Sequence, residues 1–250
     1  MIHWNGILQM RFNCACYLKL RPLMLNALKL EQKVQQEYAS ILPINKNFGK
    51  HCVLIGMPAS GKTTAAKNYV DKNSKWKYVY SKMLVDNERF KFYLNKIFFE
   101  NEDQYLINFQ VEASICRFLQ NYSVSEHSVC DNDLFSIWAY SRMLVSQGRI
   151  QQQTYETLYA LVLSLTCFIR WPQTVVLFRC DPAVARRRVL ARSRKHEIVT
   201  YTENTLSELE RHHRHILTTW PDSVGKYEID TTHLTHDEIA KNLGDYINAN

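Results

Sequence analysis

Several features are missing from this 250-residue sequence, and each absence excludes a class of protein. No apolar run reaches the roughly 20 residues that a membrane-spanning helix requires. No internal repeat or low-complexity tract is present. Hydrophobic residues make up 46% of the chain and charged residues 22%, which excludes a disordered chain. The length is sufficient for one α/β domain with a sizeable core.

The cysteines argue against a disulfide framework. The chain has seven of them at irregular spacings, and an odd number without a regular pattern favours a reducing compartment. Cys14 and Cys16 have no second Cys/His pair at zinc spacing, so they do not predict a metal site. Three others fall in or beside predicted strands, where a free cysteine acts as a small hydrophobic residue: Cys52, Cys130 and Cys180.

Acidic residues are missing from the beginning of the chain, where the first is Glu31. Basic residues lie there among leucines, methionines and aromatics, a composition typical of mitochondrial presequences. The same segment could be a poorly ordered extension, or sequence that precedes a start at Met10 or Met24. Helical spacing over 28–41 is compatible with one docked helix. We treat 1–45 as a basic N-terminal extension, expecting a cytoplasmic protein with a mitochondrial location as the alternative.

One stretch carries a specific chemical signal. It follows the apolar run 52–55 and fits the pattern G-x-x-x-x-G-K-[ST] of the phosphate-binding P-loop. A helical segment follows it, and a helix N-terminus presents backbone N–H groups and partial positive charge to an anion. The predicted nucleotide-binding residues are Gly56, Met57, Pro58, Ala59, Ser60, Gly61, Lys62, Thr63 and Thr64. In this pattern Lys62 reaches the β- and γ-phosphates and Thr63 ligates Mg²⁺.

From residue 51 onward, predicted strands alternate with predicted helices. The strands are expected at 51–56, 76–80, 128–131, 174–179 and 226–229. The helices are expected at 61–71, 88–100, 103–121, 134–147, 151–170, from Pro182 onward, 200–219 and 236–247. Strands separated by helices predict an α/β fold, with a five-stranded parallel sheet covered on both faces in one domain over 46–250.

Ligands of such sheets bind beyond the carboxyl ends of the strands, and Asp131 follows the third strand. A carboxylate at this position can hold Mg²⁺ beside Thr63. The alternative is a helix cap, a role that fits the nearby Asp133 better.

The densest basic cluster follows the fourth strand, at Arg186–Arg188, Arg192, Arg194 and Lys195. Arginines neutralise charge that develops on a migrating phosphoryl group, which favours a catalytic role for Arg192 and Arg194 over a solvated helix face. The net charge of +7 suits an anionic partner. A triphosphate satisfies that requirement, so neither a nucleic-acid nor a membrane partner is predicted.

Two polar residues on the third predicted helix are candidates for substrate binding. Gln110 can present a donor and an acceptor to a base edge, and Arg117 follows seven residues later on the same face. Three histidines on the penultimate predicted helix lack a companion at ligand spacing, so we expect them at the surface: His212, His213 and His215.

Taken in their order along the chain, these motifs resemble those of the deoxynucleoside kinases, relatives of the thymidylate kinases. The similarity covers roughly 51–249 and rests on the P-loop, 105–110, 131–135, 179–197 and 228–238. The resemblance implies a P-loop kinase fold of three layers, α/β/α, with an arginine-bearing lid. It implies that ATP is the donor, with Mg²⁺ held by Thr63 and Asp131. Lys62, Arg192 and Arg194 would handle phosphate, Gln110 would read the base, and Glu197 would approach the sugar.

Departures from the family pattern all lie on the acceptor side. The family's general-base glutamate after strand two has no counterpart, and Asp86 or Glu88 would have to replace it. The arginine of the family's D-R-S turn is Asn132 here, and a tyrosine that touches the 3′-hydroxyl is Phe99. A nucleoside monophosphate kinase and a catalytically weak ATP-binding descendant therefore stay open beside a deoxynucleoside kinase. The family also implies a homodimer through helices near 103–121 and 151–170, although core packing explains their apolar residues equally well.

Overall fold

A parallel sheet of five strands forms the centre of the fold. The computed structural model describes residues 49–80, 88–122, 126–166, 168–220 and 222–249. The predictions for 1–45 and for Asp86 lie outside these residues. The strands are β1 (His51–Gly56), β2 (Lys77–Val79), β3 (Ser128–Asp131), β4 (Thr174–Arg179) and β5 (Gly225–Asp230). Their order in the sheet is β2-β3-β1-β4-β5, and every pairing is parallel.

The described part of the chain contains nine α-helices, of which eight lie between strands and one follows the last strand. They are α1 (Lys62–Lys72), α2 (Glu88–Phe98), α3 (Leu106–Tyr122), α4 (Ser136–Ser146), α5 (Gln152–Thr166), α6 (Pro182–Arg192), α7 (Lys195–Thr200), α8 (Glu203–Thr219) and α9 (His236–Asn248). A short 3₁₀ helix, Asp103–Tyr105, precedes α3.

Two separate apolar cores lie on the two faces of the sheet. Alternate side chains of β1 point to opposite faces, as the pleat requires. Cys52 and Leu54 pack with α1 and α9 on one face. Val53 and Ile55 pack with α3, α4, α5 and α8 on the other. All six residues of β1 are buried, since a central parallel strand is covered on both sides. The predicted three-layer α/β/α fold with its five-stranded parallel sheet is confirmed.

Some predicted boundaries shift, each for a local reason. The fourth helix begins at Ser136 rather than 134, because residues 134–135 form a tighter turn in which the Ile137 and Trp138 N–H groups donate to the carbonyl oxygens three residues earlier. It ends before Gly148, whose φ of 69° reverses the chain. The helix predicted over 200–219 begins at Glu203 instead, because the Thr202 hydroxyl accepts the Thr205 N–H at 3.2 Å and caps α8.

One predicted surface residue is buried instead. His213 is completely inaccessible, and its Nδ1 lies 2.8 Å from the Leu209 carbonyl oxygen. Burial lowers the pKa of His213 to about 3, so its ring is neutral. The prediction was wrong because His213 lies on the buried face of α8, and the composition of the histidine cluster does not show which face of a helix is buried.

Among the described helices, none is long and apolar enough to cross a membrane.

Candidate active site

The loop after β1 adopts the backbone geometry of an anion cradle. Ala59 and Gly61 have φ values of 62° and 95°, with Ser60 between them. Left-handed residues alternating with right-handed ones turn successive N–H groups toward one point, which favours a phosphate. Gly56 is required for a different reason. A Cβ at Gly56 would lie 2.3 Å from the carbonyl oxygen of Phe178 in the adjacent β4.

Lys62 lies inside this loop, at the first position of α1. Its ammonium donates to the carbonyl oxygens of Gly56 and Met57, both at 2.8 Å, and to Ser60 Oγ at 3.3 Å. No side chain caps the N-terminus of α1, so its first N–H groups have no such partner there. The loop, the lysine and the helix end together form a cationic site whose chemistry suits a triphosphate.

Asp131 joins this loop from the neighbouring strand. It pairs in register with Leu54, two residues before Gly56, and the Asn132 N–H donates to the Leu54 carbonyl at 2.9 Å. Thr63 Oγ1 donates a short hydrogen bond to Asp131 Oδ2. The second carboxylate oxygen, Oδ1, is buried without a hydrogen-bond partner among the described residues.

This arrangement fits Mg²⁺ carried by a nucleotide. Mg²⁺ is usually held by one or two carboxylates together with phosphate oxygens and waters. Asp131 provides an unpaired buried oxygen and Thr63 a hydroxyl beside it. In the part of the chain that the structure describes, no group of three His, Cys, Asp or Glu side chains could hold a metal by itself. The residues therefore suit a nucleotide-bound cation and not a protein cage.

Four charged groups that the sequence singles out influence Lys62 together. Burial lowers the pKa of Lys62 to about 8, and the Asp131 carboxylate opposes this effect. The Arg192 and Arg117 cations lower the pKa of Lys62 further, while Glu197 raises it. Coulombic effects of this kind require proximity, so residues from β3, α3, α6 and α7 converge on the loop.

The arginine-bearing segment lies between α6 and α7. Every residue of 190–195 is exposed, and Ser193 turns the chain with φ 56°. Arg194 donates to Glu197 Oε1 at 2.9 Å. Glu197 itself is 7% exposed, and its Oε2 has no hydrogen-bond partner in the described ranges. The segment thus combines solvent-facing cations with an inward carboxylate.

Gln110 occupies the inner face of α3. It is 3% exposed, and its Oε1 has no hydrogen-bond partner within the described segments. The neighbouring Phe109 stacks on Phe90 of α2, with ring centroids 4.4 Å apart. A buried amide oxygen without a donor normally costs free energy, which is the situation expected of a ligand-binding group.

Arg117, which was predicted to bind substrate, contacts the backbone of the turn that contains Asp131. Its Nη1 donates to the Asp131 carbonyl oxygen at 2.8 Å and to Gln120 Oε1 at 3.1 Å. Asn132 occupies a left-handed conformation with φ 62°, which asparagine tolerates well. The guanidinium therefore supports the backbone of the turn, while its role in substrate binding stays a prediction.

The other acceptor-side departures are placed as follows. Phe99 is 48% exposed, and Glu88 is an exposed residue paired with Lys91 at 2.8 Å. Neither lies buried beside Asp131. Of the two predicted replacements for the family's general base, only Glu88 is among the described residues, and its exposed position does not fit that role.

Several polar residues of the site escape sequence reasoning. Tyr140 and Tyr201 are hydrogen-bonded to each other, and burial raises the pKa of Tyr140 to about 12. The charges of Arg117, Asp131 and Glu197 also act on Tyr140. Both tyrosines sit within helical or loop patterns that resemble ordinary core positions. No spacing signal could have separated them from packing residues.

A second network fixes the loop from the β5 side. Thr231 is completely buried, and its hydroxyl lies 2.8 Å from the Ser60 carbonyl oxygen and 2.9 Å from that of Arg179. Arg188 donates to the Thr231 carbonyl at 2.9 Å. This links α6, the end of β5 and the P-loop. Arg188 is thereby a structural connection, whereas the exposed Arg192 and Arg194 face solvent.

Comparison with known proteins gives a family match for most of the chain. The model of the deoxynucleoside kinase family matches residues 53–248. The comparison with curated sequences gave no match.

Three similar solved structures are of deoxyadenosine kinase from M. mycoides. The structure with the products dCMP and a flexible dCDP has a TM-score of 0.66 and 13% identity, covering 80% of this chain and 98% of that one. The structure with dCTP has the same TM-score and identity, covering 80% and 100%. The structure with dATP has a TM-score of 0.65 and 15% identity, covering 79% and 99%. At such identities the likeness concerns the fold.

Proposed function

Because the chain belongs to the deoxynucleoside kinase family and is therefore a nucleoside phosphotransferase, we propose that it transfers the γ-phosphate of ATP to the 5′-hydroxyl of a deoxynucleoside. The observation that carries the proposal is the donor half of the site. An anion cradle holds Lys62 within it, Asp131 contacts Thr63 beside it, and the exposed Arg192 lies within electrostatic range of Lys62.

Each positively charged group on the ATP side of the site has its own proposed role. Backbone N–H groups of 59–63 bind the β-phosphate, and Lys62 exchanges its carbonyl partners for β- and γ-oxygens. Arg192 and Arg194 are solvent-exposed in this structure and close over the transferring group. Catalysis of this kind depends on positioning and electrostatic stabilisation, for which bidentate arginines are suited.

Mg²⁺ would be held by Thr63 and Asp131. When bound, it neutralises charge on the β- and γ-phosphates. Thr63 contributes its hydroxyl oxygen, and Asp131 contributes the oxygen that is buried and unpaired, directly or through water.

We assign acceptor binding to two buried side-chain oxygens that lack a hydrogen-bond partner among the described residues. Gln110 Oε1 would accept from a base, and Glu197 Oε2 would accept from a sugar hydroxyl. Arg117 supports the acceptor side of the site by donating to the carbonyl oxygen of Asp131. The similar M. mycoides structures hold dATP, dCTP, or dCMP with dCDP, which supports a deoxynucleoside as the acceptor here.

The substrate class can be tested by incubating the protein with labelled ATP, Mg²⁺, and a panel of nucleosides and their monophosphates. We expect 5′-phosphorylation of at least one deoxynucleoside. Phosphorylation of monophosphates alone would replace the proposal with a nucleoside monophosphate kinase, whose ionised acceptor needs no general base. ATP binding without transfer to any acceptor would indicate a descendant that has lost catalysis.

The role of Gln110 predicts a selective loss in the variant Gln110→Leu. The kcat/KM for the deoxynucleoside should fall about 10–100-fold, because one hydrogen bond to the base is lost. ATP binding and the melting temperature should stay near wild type, since leucine replaces an amide whose oxygen is unpaired in the free protein. Gln104→Leu, at an exposed amide, is the matched control. Equal kinetics of the two variants would remove Gln110 from the acceptor site.

The homodimer is supported by an apolar face of α3. Ile107, Ile115, Leu119 and Tyr122 are between 39% and 61% exposed, and their spacing places them on one side of the helix. The half-buried Val111 completes this stripe. Contiguous exposed apolar surface on a folded domain marks an interaction site, and a second copy of the chain buries both stripes at once.

The stripe predicts the effect of a charge at its centre. The variant Ile115→Glu should be monomeric at micromolar concentration, because association would bury an unpaired carboxylate. Light scattering coupled to gel filtration measures the mass. Leu190→Glu, which places the same charge at an exposed leucine of α6, should stay dimeric. A dimeric Ile115→Glu variant, or a monomeric wild type, would contradict this surface.

We place the protein in a reducing compartment, the cytoplasm. Cys52, Cys116, Cys130 and Cys180 are free and buried, which supports this location. The acid-poor segment 1–45 keeps the mitochondrion as the alternative. Imaging a fluorescent fusion with and without residues 1–45 distinguishes the two.

A further inference from the structure

A tyrosine outside the P-loop contacts the carboxylate that is assigned to Mg²⁺. Tyr78 lies in the edge strand β2, and its hydroxyl donates to Asp131 Oδ2 at 3.1 Å. The register pairs Tyr78 with Val129, two residues before Asp131. Two residues of strand span about 7 Å, which is the reach of a tyrosine side chain directed along the strand.

The tyrosine ring is fixed by its neighbours. It stacks on Tyr80 with a centroid distance of 5.3 Å and an interplanar angle of 13°. The Lys67 ammonium lies 5.9 Å from the centroid of the Tyr78 ring. The ring also packs against the core that contains Cys52, Leu54 and Val129. These contacts hold the hydroxyl at the carboxyl end of β3.

The two oxygens of Asp131 are in unequal environments. Both hydroxyl donors, Thr63 and Tyr78, engage Oδ2, whereas Oδ1 is buried and lacks a hydrogen-bond partner among the residues described. The terminal torsion of an aspartate is otherwise broad. Donors on one oxygen restrict this torsion and leave the other oxygen for a ligand. Thr63 belongs to the nucleotide loop, whereas Tyr78 donates from a separate strand, β2.

We propose that Tyr78 is a positioning residue, whose hydroxyl holds Asp131 Oδ2 so that Oδ1 receives the Mg²⁺ of a bound nucleotide, directly or through water. This inference rests on the proposed function. It assigns Tyr78 no contact with the substrate. Its effect passes through Asp131 and therefore concerns the dependence of nucleotide binding on Mg²⁺.

The test uses the full chain and the variant Tyr78→Phe, which removes only the hydroxyl. Binding of a fluorescent ATP analogue is titrated in EDTA and at increasing Mg²⁺. Binding in EDTA should be unchanged, while the Mg²⁺ concentration for half-maximal enhancement of binding should rise about tenfold, since one hydrogen bond to a charged acceptor is lost. The kcat should fall at low Mg²⁺ and recover at high Mg²⁺.

Two comparisons separate positioning from a structural effect. Tyr80→Phe removes the hydroxyl of the exposed neighbouring ring and should match wild type. In a double-mutant cycle with Asp131→Asn, the Tyr78→Phe substitution should add no further change in Mg²⁺ dependence, because the hydroxyl acts through that carboxylate. If Tyr78→Phe does not fold, Tyr78→Met repeats the test with an apolar side chain of similar reach.

The outcomes are distinguishable from those of the proposed function. An active wild type in which Tyr78→Phe and Tyr80→Phe share the same Mg²⁺ dependence would overturn the role of Tyr78 alone. Additive effects in the double-mutant cycle would overturn it as well. A wild type that neither binds ATP nor transfers phosphate would instead overturn the proposed function.

Discussion

Replacing Lys62 with alanine should lower turnover about 10³-fold while the protein stays folded. The ammonium is buried and lies within the loop, where it donates to the Gly56 and Met57 carbonyls. These partners are exchangeable for phosphate oxygens, so the loss falls on stabilisation of the transferring group. Single-turnover kinetics with saturating ATP separate this loss from weaker nucleotide binding.

The fold should tolerate this change because the buried ammonium is costly to desolvate. Burial is the main cause of the lowered pKa of Lys62, so the folded protein disfavours the charged form of this side chain. Replacement by alanine removes this unfavourable buried charge. Lys62→Met, which keeps the length of the side chain, provides a second test. Lys72→Ala, at an exposed ion pair on the same helix, should retain wild-type turnover. Wild-type turnover in Lys62→Ala would refute the assigned phosphate site.

Replacing Arg192 with alanine should lower kcat by a comparable factor, about 10³-fold, with almost no change in stability. Arg192 is exposed at the end of α6, and exposed substitutions usually change the free energy of unfolding by less than about 0.5 kcal/mol. Its cation nevertheless acts on Lys62, so it lies near the loop. An arginine that closes on the transferring phosphoryl group contributes effects of this size.

The neighbouring Arg187 supplies the matched control. It is equally exposed on α6 and has no assigned role, so Arg187→Ala should retain wild-type kcat. Arg192→Lys should fall between the two, because lysine keeps the charge but loses the bidentate fork. Equal kcat values for the two alanine variants would assign the basic cluster to a solvated helix face.

The fold was predictable from the sequence because its signals are local. Buried parallel strands give continuous apolar runs, as in 52–55 and 175–178, and helices between them require a covered sheet. Strand bounds were correct at both ends for β1, β3 and β4. Helix starts were less predictable, because a cap such as Thr202 selects one residue among several adequate ones.

The acceptor side was less predictable, because its residues meet only across elements. Gln110 and Glu197 could be singled out by resemblance, yet the burial of one oxygen of each without a hydrogen-bond partner among the described residues is a property of packing. Arg117 was expected to bind substrate, and its contact with the Asp131 carbonyl required the folded chain. His213 was expected at the surface, and its burial depends on which face of α8 meets the sheet.

The sequence by itself predicted a nucleotide-phosphate site at Gly56–Thr64, because this pattern encodes a cradle from residues adjacent in the chain. It also determined the parallel sheet that carries the cradle. Only the tertiary structure decided which groups surround it. Tyr78, Asp131, Arg188 and Thr231 come from separate elements, and hydrogen bonds act over about 3 Å irrespective of sequence distance. The parallel register of β1, β2 and β3 brings Tyr78 and Asp131 together beside Thr63.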